Sequence, residues 1–248
     1  MAKKTVIVTG AGGGIGLACA LGLVSDGHDV TALDVKPIPA ELGAAEGAAG
    51  TCLALTVDVS DERQCRDAVA RTVEAFGGLD ALCHFAAIHS TDDWESLSPE
   101  EFNRVLEVNV TGSFLMSRAA AAYMKEHGGG AIVLTSSGSV RMSGVGGGSG
   151  RGGPAYVSSK AGIYGLNRAL ARSLGPHGIR VNTVSPGATE TPMIAEYTEE
   201  SRTNAAARTM IGRIGQPDDV ADVARFLISD RARFVTGDVI SVSGGGSV

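Results

Sequence analysis

The chain has 248 residues, 44% hydrophobic and 19% charged, which suits one α/β domain with a substantial core and excludes a disordered chain. Its net charge of −6 argues against nucleic acid as the main partner, because phosphate binding needs a basic face. No apolar run approaches the roughly 18 residues a membrane span requires, and Met1-Ala2-Lys3-Lys4 leads into too short an apolar segment for a signal peptide. Cys19, Cys52, Cys65 and Cys83 show no paired spacing and read as free core thiols. A cytoplasmic setting is the expectation.

Thr5-Val6-Ile7-Val8 is a β-branched run that predicts a buried strand. Thr9-Gly10-Ala11-Gly12-Gly13-Gly14-Ile15-Gly16 follows at once, and then an apolar helical pattern through Val24. Strand, glycine-rich turn and helix together form a phosphate site, because the backbone can approach a pyrophosphate and the helix N-terminus offers free N–H donors. The second strand, 28–33, ends at Asp34. A carboxylate there can accept from the adenosine ribose hydroxyls and would repel a 2′-phosphate, which favours NAD over NADP. Lys36 stands close by as a counterweight.

Residues 35–50, rich in Ala, Gly and Pro, read as a surface connection. Strands are expected at 51–57, 79–85, 131–135 and 179–184. Helices are expected at 61–76 (with Ser60 as the cap), 99–108, 110–127 and 155–174. This alternation predicts a doubly wound parallel sheet of about seven strands, covered by helices on both faces in a single-domain Rossmann fold over 1–248. Tyr156 and Lys160, four apart, share a helix face. An ammonium near a phenol favours the phenolate, making a group that can exchange a proton with an alcohol or carbonyl.

With these motifs in this order, the chain resembles the classical short-chain dehydrogenases/reductases over essentially its whole length. Residues 9–16 look like that family's cofactor motif, with Gly10, Gly14, Ile15 and Gly16 as contacts. Asp58-Val59 matches its adenine contact, and Ala86 lies in its segment after the fourth strand. The resemblance implies a catalytic set of Asn109, Ser137 (with Ser136 as the neighbouring alternative), Tyr156 and Lys160. Ser137 would steady the substrate oxygen, Tyr156 would transfer the proton, Lys160 would also bind the nicotinamide ribose, and Asn109 would position a relay water. Asn109, Tyr156 and Lys160 count among the cofactor contacts too. Pro186, Gly187, Thr189 and Thr191 would hold the nicotinamide. No metal is expected, since the histidines and cysteines lack ligand spacing.

Three features depart from the family pattern. His84-Phe85-Ala86-Ala87 replaces the usual Asn-Asn-Ala-Gly, so that Ala87 adds a methyl where backbone and cofactor run close. Val242-Ser243-Gly244-Gly245 stands for Val-Asp-Gly-Gly. Residues 144–153, seven of them glycine, form an insertion that reads either as a wall beside the substrate or as a neutral surface loop. Residues 188–211 are expected to close over substrate as a lid. Trp94, Met142, Met193, Ile194 and Tyr197 are expected to make the pocket mostly apolar, with His89 and Arg141 at its rim.

The expected function is NAD-dependent hydride transfer between the cofactor and a secondary alcohol or ketone, in a homotetramer joined through the long helices and the C-terminal segment. Two alternatives stand beside it. One is an NADPH-dependent 3-oxoacyl-thioester reductase, of the acyl-carrier-protein type, on the same fold. The other is a catalytically silent protein that binds dinucleotide or scaffolds a partner. Enoyl reductases of this fold place tyrosine and lysine further apart than Tyr156 and Lys160.

Overall fold

The computed structural model describes residues 3–42, 50–141, 153–195 and 197–247. Seven parallel strands form one sheet in the order β3-β2-β1-β4-β5-β6-β7. They are β1 (Thr5–Thr9), β2 (Asp29–Asp34), β3 (Cys52–Thr56), β4 (Ala81–His84), β5 (Gly130–Thr135), β6 (Ile179–Pro186) and β7 (Val239–Val242). The six strands expected from sequence lie within two residues of their positions. β7 was not assigned, because Val239–Val242 is a short run with no strong pattern.

Alternate side chains of each strand enter two cores. Ile7, Leu33, Leu82, Ile132 and Val181 face a layer built from α2 (Glu62–Phe76), α4 (Gly112–Glu126) and α5 (Pro154–Leu174). Val6, Val8, Val30, Cys83 and Val133 face α1 (Gly14–Ser25) and α7 (Pro217–Ile228). Burial on both sides is why the strands read as continuous apolar runs. The strand order reverses between β1 and β4, which opens a crevice beyond their carboxyl ends.

Two local readings need correction. The cap of α2 is Asp61, whose carboxylate accepts from the Gln64 N–H, whereas Ser60 donates its hydroxyl to Asp58. The helices expected at 99–108 and 110–127 are one nearly continuous rod. α3 (Pro99–Leu106) passes into α4 through a π-helical turn, Glu107–Thr111, with Asn109 at its centre. A π turn inserts one extra residue per turn, which re-aims the side chains around it.

Candidate active site

The carboxyl ends of β1, β2, β4, β5 and β6 open into a cleft of about 770 Å³. Gly10, Gly14, Ile15, Gly16, Asp34, Asp58, Val59, Ala86, Ser137, Tyr156, Lys160, Pro186, Gly187, Thr189 and Thr191 all line it. Residues spread over 180 positions of sequence are thus brought to one wall. Of the expected catalytic and cofactor-binding residues, Asn109 alone does not line the cleft.

One end is shaped for a nucleotide. A Cβ on Gly16 would stand 2.2 Å from the Gly10 carbonyl oxygen, and Gly10 itself, at φ 70°, lies against the Phe85–Ala86 backbone. Close approach therefore requires glycine at both positions. α2, α3 and α6 (Glu199–Ala207) are capped by Asp61, Ser98 and Thr198, but α1 has no side-chain cap and no acid in its first turn. Its free N–H donors and positive dipole end meet the cleft, which fits a pyrophosphate. Asp34 is held at the tip of β2 by two backbone donors. The Gly12 N–H reaches its Oδ2 at 2.9 Å and the Lys36 N–H its Oδ1 at 2.9 Å. Asp58 accepts from the Ser60 hydroxyl at 2.6 Å, and this bond leads the causes that hold its carboxyl below the ordinary value.

The other end carries the proton chemistry. α5 brings Tyr156 and Lys160 to the cleft, where Ser137 also lies; the Tyr156 hydroxyl reaches Met193 Sδ at 4.0 Å, and the Ser137 hydroxyl favours its ionised form. Ser137 Oγ in turn accepts from the Ser139 N–H at 3.2 Å and the Ser139 hydroxyl at 2.9 Å. The neighbouring Ser136 hydroxyl instead donates to the Lys160 carbonyl at 2.7 Å. The Lys160 Nζ donates to the Thr135 carbonyl at 3.0 Å and stands 5.8 Å from the centre of the Tyr156 ring.

The expectation that Lys160 depresses the Tyr156 phenol is not met by the protein's own groups. Burial pushes the phenol up to about 12, and the Ser137 hydroxyl opposes this only in part. Burial likewise lowers the Lys160 amine to about 8. Desolvation is the leading cause for both groups.

Asn109 also departs from expectation. It is buried, its Oδ1 accepts from the Ile88 N–H at 2.8 Å, and its Nδ2 donates to the Ile88 carbonyl and the Ser159 hydroxyl, each at 2.9 Å. Protein atoms take three of its amide's four hydrogen-bonding positions, so it positions the segment after β4, and it does not line the cleft.

His84 explains one departure from the family pattern. Thr9 Oγ1 accepts from the Phe85 and Ala86 N–H groups, so its own proton goes to His84 Nδ1 at 3.1 Å. Burial, and after it the nearby Lys160 charge, push the imidazole down to about 3, so it is neutral at neutral pH.

The substrate end includes His89, Met193, Ile194 and Tyr197, as expected. His89 stacks edge-on to Tyr156 with ring centres 4.5 Å apart. Trp94 and Arg141 do not line the cleft, and Trp94 is 80% exposed. Met142 and residues 144–152 of the insertion lie outside the described residues. Ser139, Ser243 and Gly246 also line the cleft without having been singled out from the sequence as site residues, while Ser201, Asn204 and Arg208 fall within the expected 188–211 segment. The i, i+3, i+7 spacing of Ser201, Asn204 and Arg208 was a readable signal.

Comparison with known proteins identifies the chain's relatives. A family model described as "Enoyl-(Acyl carrier protein) reductase" matches residues 10–247. The "3-oxoacyl-[acyl-carrier-protein] reductase FabG" of Thermotoga maritima is 34% identical over 98% of this chain and 97% of its own. The "3alpha-hydroxysteroid dehydrogenase" of Mediterraneibacter gnavus is 40% identical over 75% of this chain and 72% of its own. A solved short-chain type dehydrogenase/reductase from Mycobacterium ulcerans superposes with a TM-score of 0.90 at 31% identity, covering 98% of this chain and 90% of that one. Fold and site thus define a nicotinamide-dependent oxidoreductase of CH–OH groups. The chain belongs to the short-chain dehydrogenase/reductase family.

Proposed function

We propose that the protein is an NAD-dependent oxidoreductase that interconverts secondary alcohols and ketones, with Tyr156 as the proton-transferring group. The observation that carries this reading is the Ser137–Tyr156 hydroxyl pair beside buried Lys160, at the far end of a cleft whose near end fits a dinucleotide. Gly10, Gly14, Ile15 and Gly16 would hold the pyrophosphate, Asp34 the adenosine ribose, and Pro186, Gly187, Thr189 and Thr191 the nicotinamide side. When bound, the nicotinamide supplies or accepts the hydride, which is the chemically difficult part.

The chain's own residues manage the oxygen. Ser137 Oγ accepts two bonds from Ser139, so its remaining capacity is to donate, and it steadies the substrate oxygen. A phenol with a pKa of about 12 is protonated at neutral pH, and Tyr156 gives that proton to the carbonyl oxygen during reduction. In oxidation the same oxygen takes the proton, which positive charge nearby favours.

A second reading, an NADPH-dependent 3-oxoacyl-thioester reductase, draws support from the name of the Thermotoga relative and from Lys36 lining the cleft beside Asp34. The four-residue spacing of Tyr156 and Lys160 speaks for carbonyl chemistry over the enoyl reduction named by the family model. Phe234, fully exposed, and Phe226, 39% exposed, support assembly into the proposed homotetramer. Four free thiols agree with a reducing, cytoplasmic setting.

Fluorescence titration with NADH and NADPH, followed by a panel of secondary alcohols and ketones, tests the reading. NADH is expected to bind more tightly, and Asp34→Ala to narrow the difference. Tighter binding of NADPH would overturn the assignment of Asp34 and move the thioester reductase to first place.

A further inference from the structure

The short helix α6 lies over the substrate end of the cleft, and none of its residues is buried. Ser201, Asn204, Ala205 and, just past its end, Arg208 line the cleft. Spaced i, i+3, i+4 and i+7, they make one stripe. That stripe is largely polar, in a pocket expected to be mostly apolar.

The charges around the cleft are unevenly placed. Its acidic lining residues are Asp34 and Asp58, both at the nucleotide end. Among its basic lining residues, Arg104 pairs with Asp58 and Glu107, and the Lys160 Nζ donates to Thr135. Lys36 follows Asp34 at the nucleotide end. The arginines flanking Arg208 in sequence are also engaged, Arg202 with Glu190 and Arg213 with Asp219. Arg208 has no carboxylate partner among the described residues. Its carbonyl oxygen lies 3.5 Å from the Cβ position of Gly246, and Ser243 and Gly246 line the cleft as well. The adjacent Ser247 packs against Gly138, next to Ser137. Arg208 therefore belongs to the substrate end.

We propose that the cleft takes oxo or hydroxy compounds bearing an anionic group, a carboxylate or a phosphate, away from the reacting carbon, and that Arg208 binds that group with Asn204 and Ser201 beside it. A guanidinium presents paired N–H donors that match the two oxygens of either anion. Among the described residues no carboxylate lines that end to repel one. This rests on the oxidoreductase reading above and narrows its substrate class.

The test uses three ketones with the NADH-saturated enzyme: 4-oxopentanoate, its methyl ester and 4-oxopentyl phosphate. At least one anion should exceed the ester in kcat/KM by about tenfold, the scale of one charge-assisted hydrogen bond. Which anion leads assigns the group. The preference should shrink in added KCl, disappear in Arg208→Gln and invert in Arg208→Glu. An ester as good as both anions, or a preference that survives in Arg208→Gln, overturns the proposal. If NADH binds and no ketone turns over, the oxidoreductase reading is what fails. Arg208 is then judged by the thermal shift of the NADH complex with glutarate against glutaramide: an upshift with glutarate lost in Arg208→Gln supports it, and equal shifts overturn it.

Discussion

Gly16→Ala tests the nucleotide end most sharply. The new Cβ would lie 2.2 Å from the Gly10 carbonyl oxygen, 2.6 Å from the Gly10 carbon and 3.1 Å from the Ala11 nitrogen. Ordinary carbon contacts fall near 3.5 Å or beyond, so something must move by about 1 Å. All three neighbours are backbone, and no flexible side chain can yield. Gly10 cannot retreat either, because it already lies against Phe85 and Ala86. The strain should cost about 1–3 kcal/mol of stability. It should also displace the free N–H donors of α1, and losing one charged hydrogen bond of about 2 kcal/mol weakens NADH roughly thirtyfold. Ile228→Val, a buried change on α7 that costs about 1 kcal/mol, controls for stability alone. Urea denaturation and NADH fluorescence titration read the two effects. Both variants should lose stability and only Gly16→Ala should lose affinity. Unchanged NADH binding in Gly16→Ala would refute the cradle.

Asn109→Leu removes three hydrogen bonds to Ile88 and Ser159 and should cost about 2–4 kcal/mol, at about 1 kcal/mol per bond. The melting temperature should fall by about 5–10 °C, and a loss below 1 kcal/mol in urea would contradict its positioning role. His84 supplies a pH signature. Its folded pKa, about 3, lies below the unfolded value of 6.5, so its contribution is present above pH 6.5 and is lost as pH falls toward 3. Relative to His84→Asn, the wild type should lose about 2–3 kcal/mol between pH 6.5 and 4.5, at about 1.4 kcal/mol per pH unit. Parallel curves would show that the imidazole becomes charged without cost.

The parallel sheet was legible because doubly buried strands leave uninterrupted runs such as Thr5–Val8, and each helix between them carries its own period. Gly10, Gly16 and Asp34 were legible because a backbone turn and a strand tip fix their positions locally. What the sequence hid depends on contacts between distant segments. Asn109 could be recognised as a site residue, but its clamp on Ile88 arises from a π turn that no periodicity announces. The Tyr156–Lys160 spacing was legible, but the burial that pushes the phenol up was not, because burial is a property of the whole fold. Trp94 was expected in the pocket from its position in the segment 89–94 after the fourth strand, and it projects into solvent. β7 and the polar stripe of α6 follow from tertiary placement of short, weakly patterned segments.

The most direct test of the account is single-turnover oxidation of bound NADH by a ketone in Tyr156→Phe, followed by loss of absorbance at about 340 nm. Removing one hydroxyl deletes the proton donor and leaves the nucleotide end untouched, and loss of a general acid typically costs 10²–10⁴-fold. The account predicts NADH affinity close to wild type with turnover reduced by about that factor. Turnover within a few-fold of wild type would contradict it and move the proton transfer away from Tyr156.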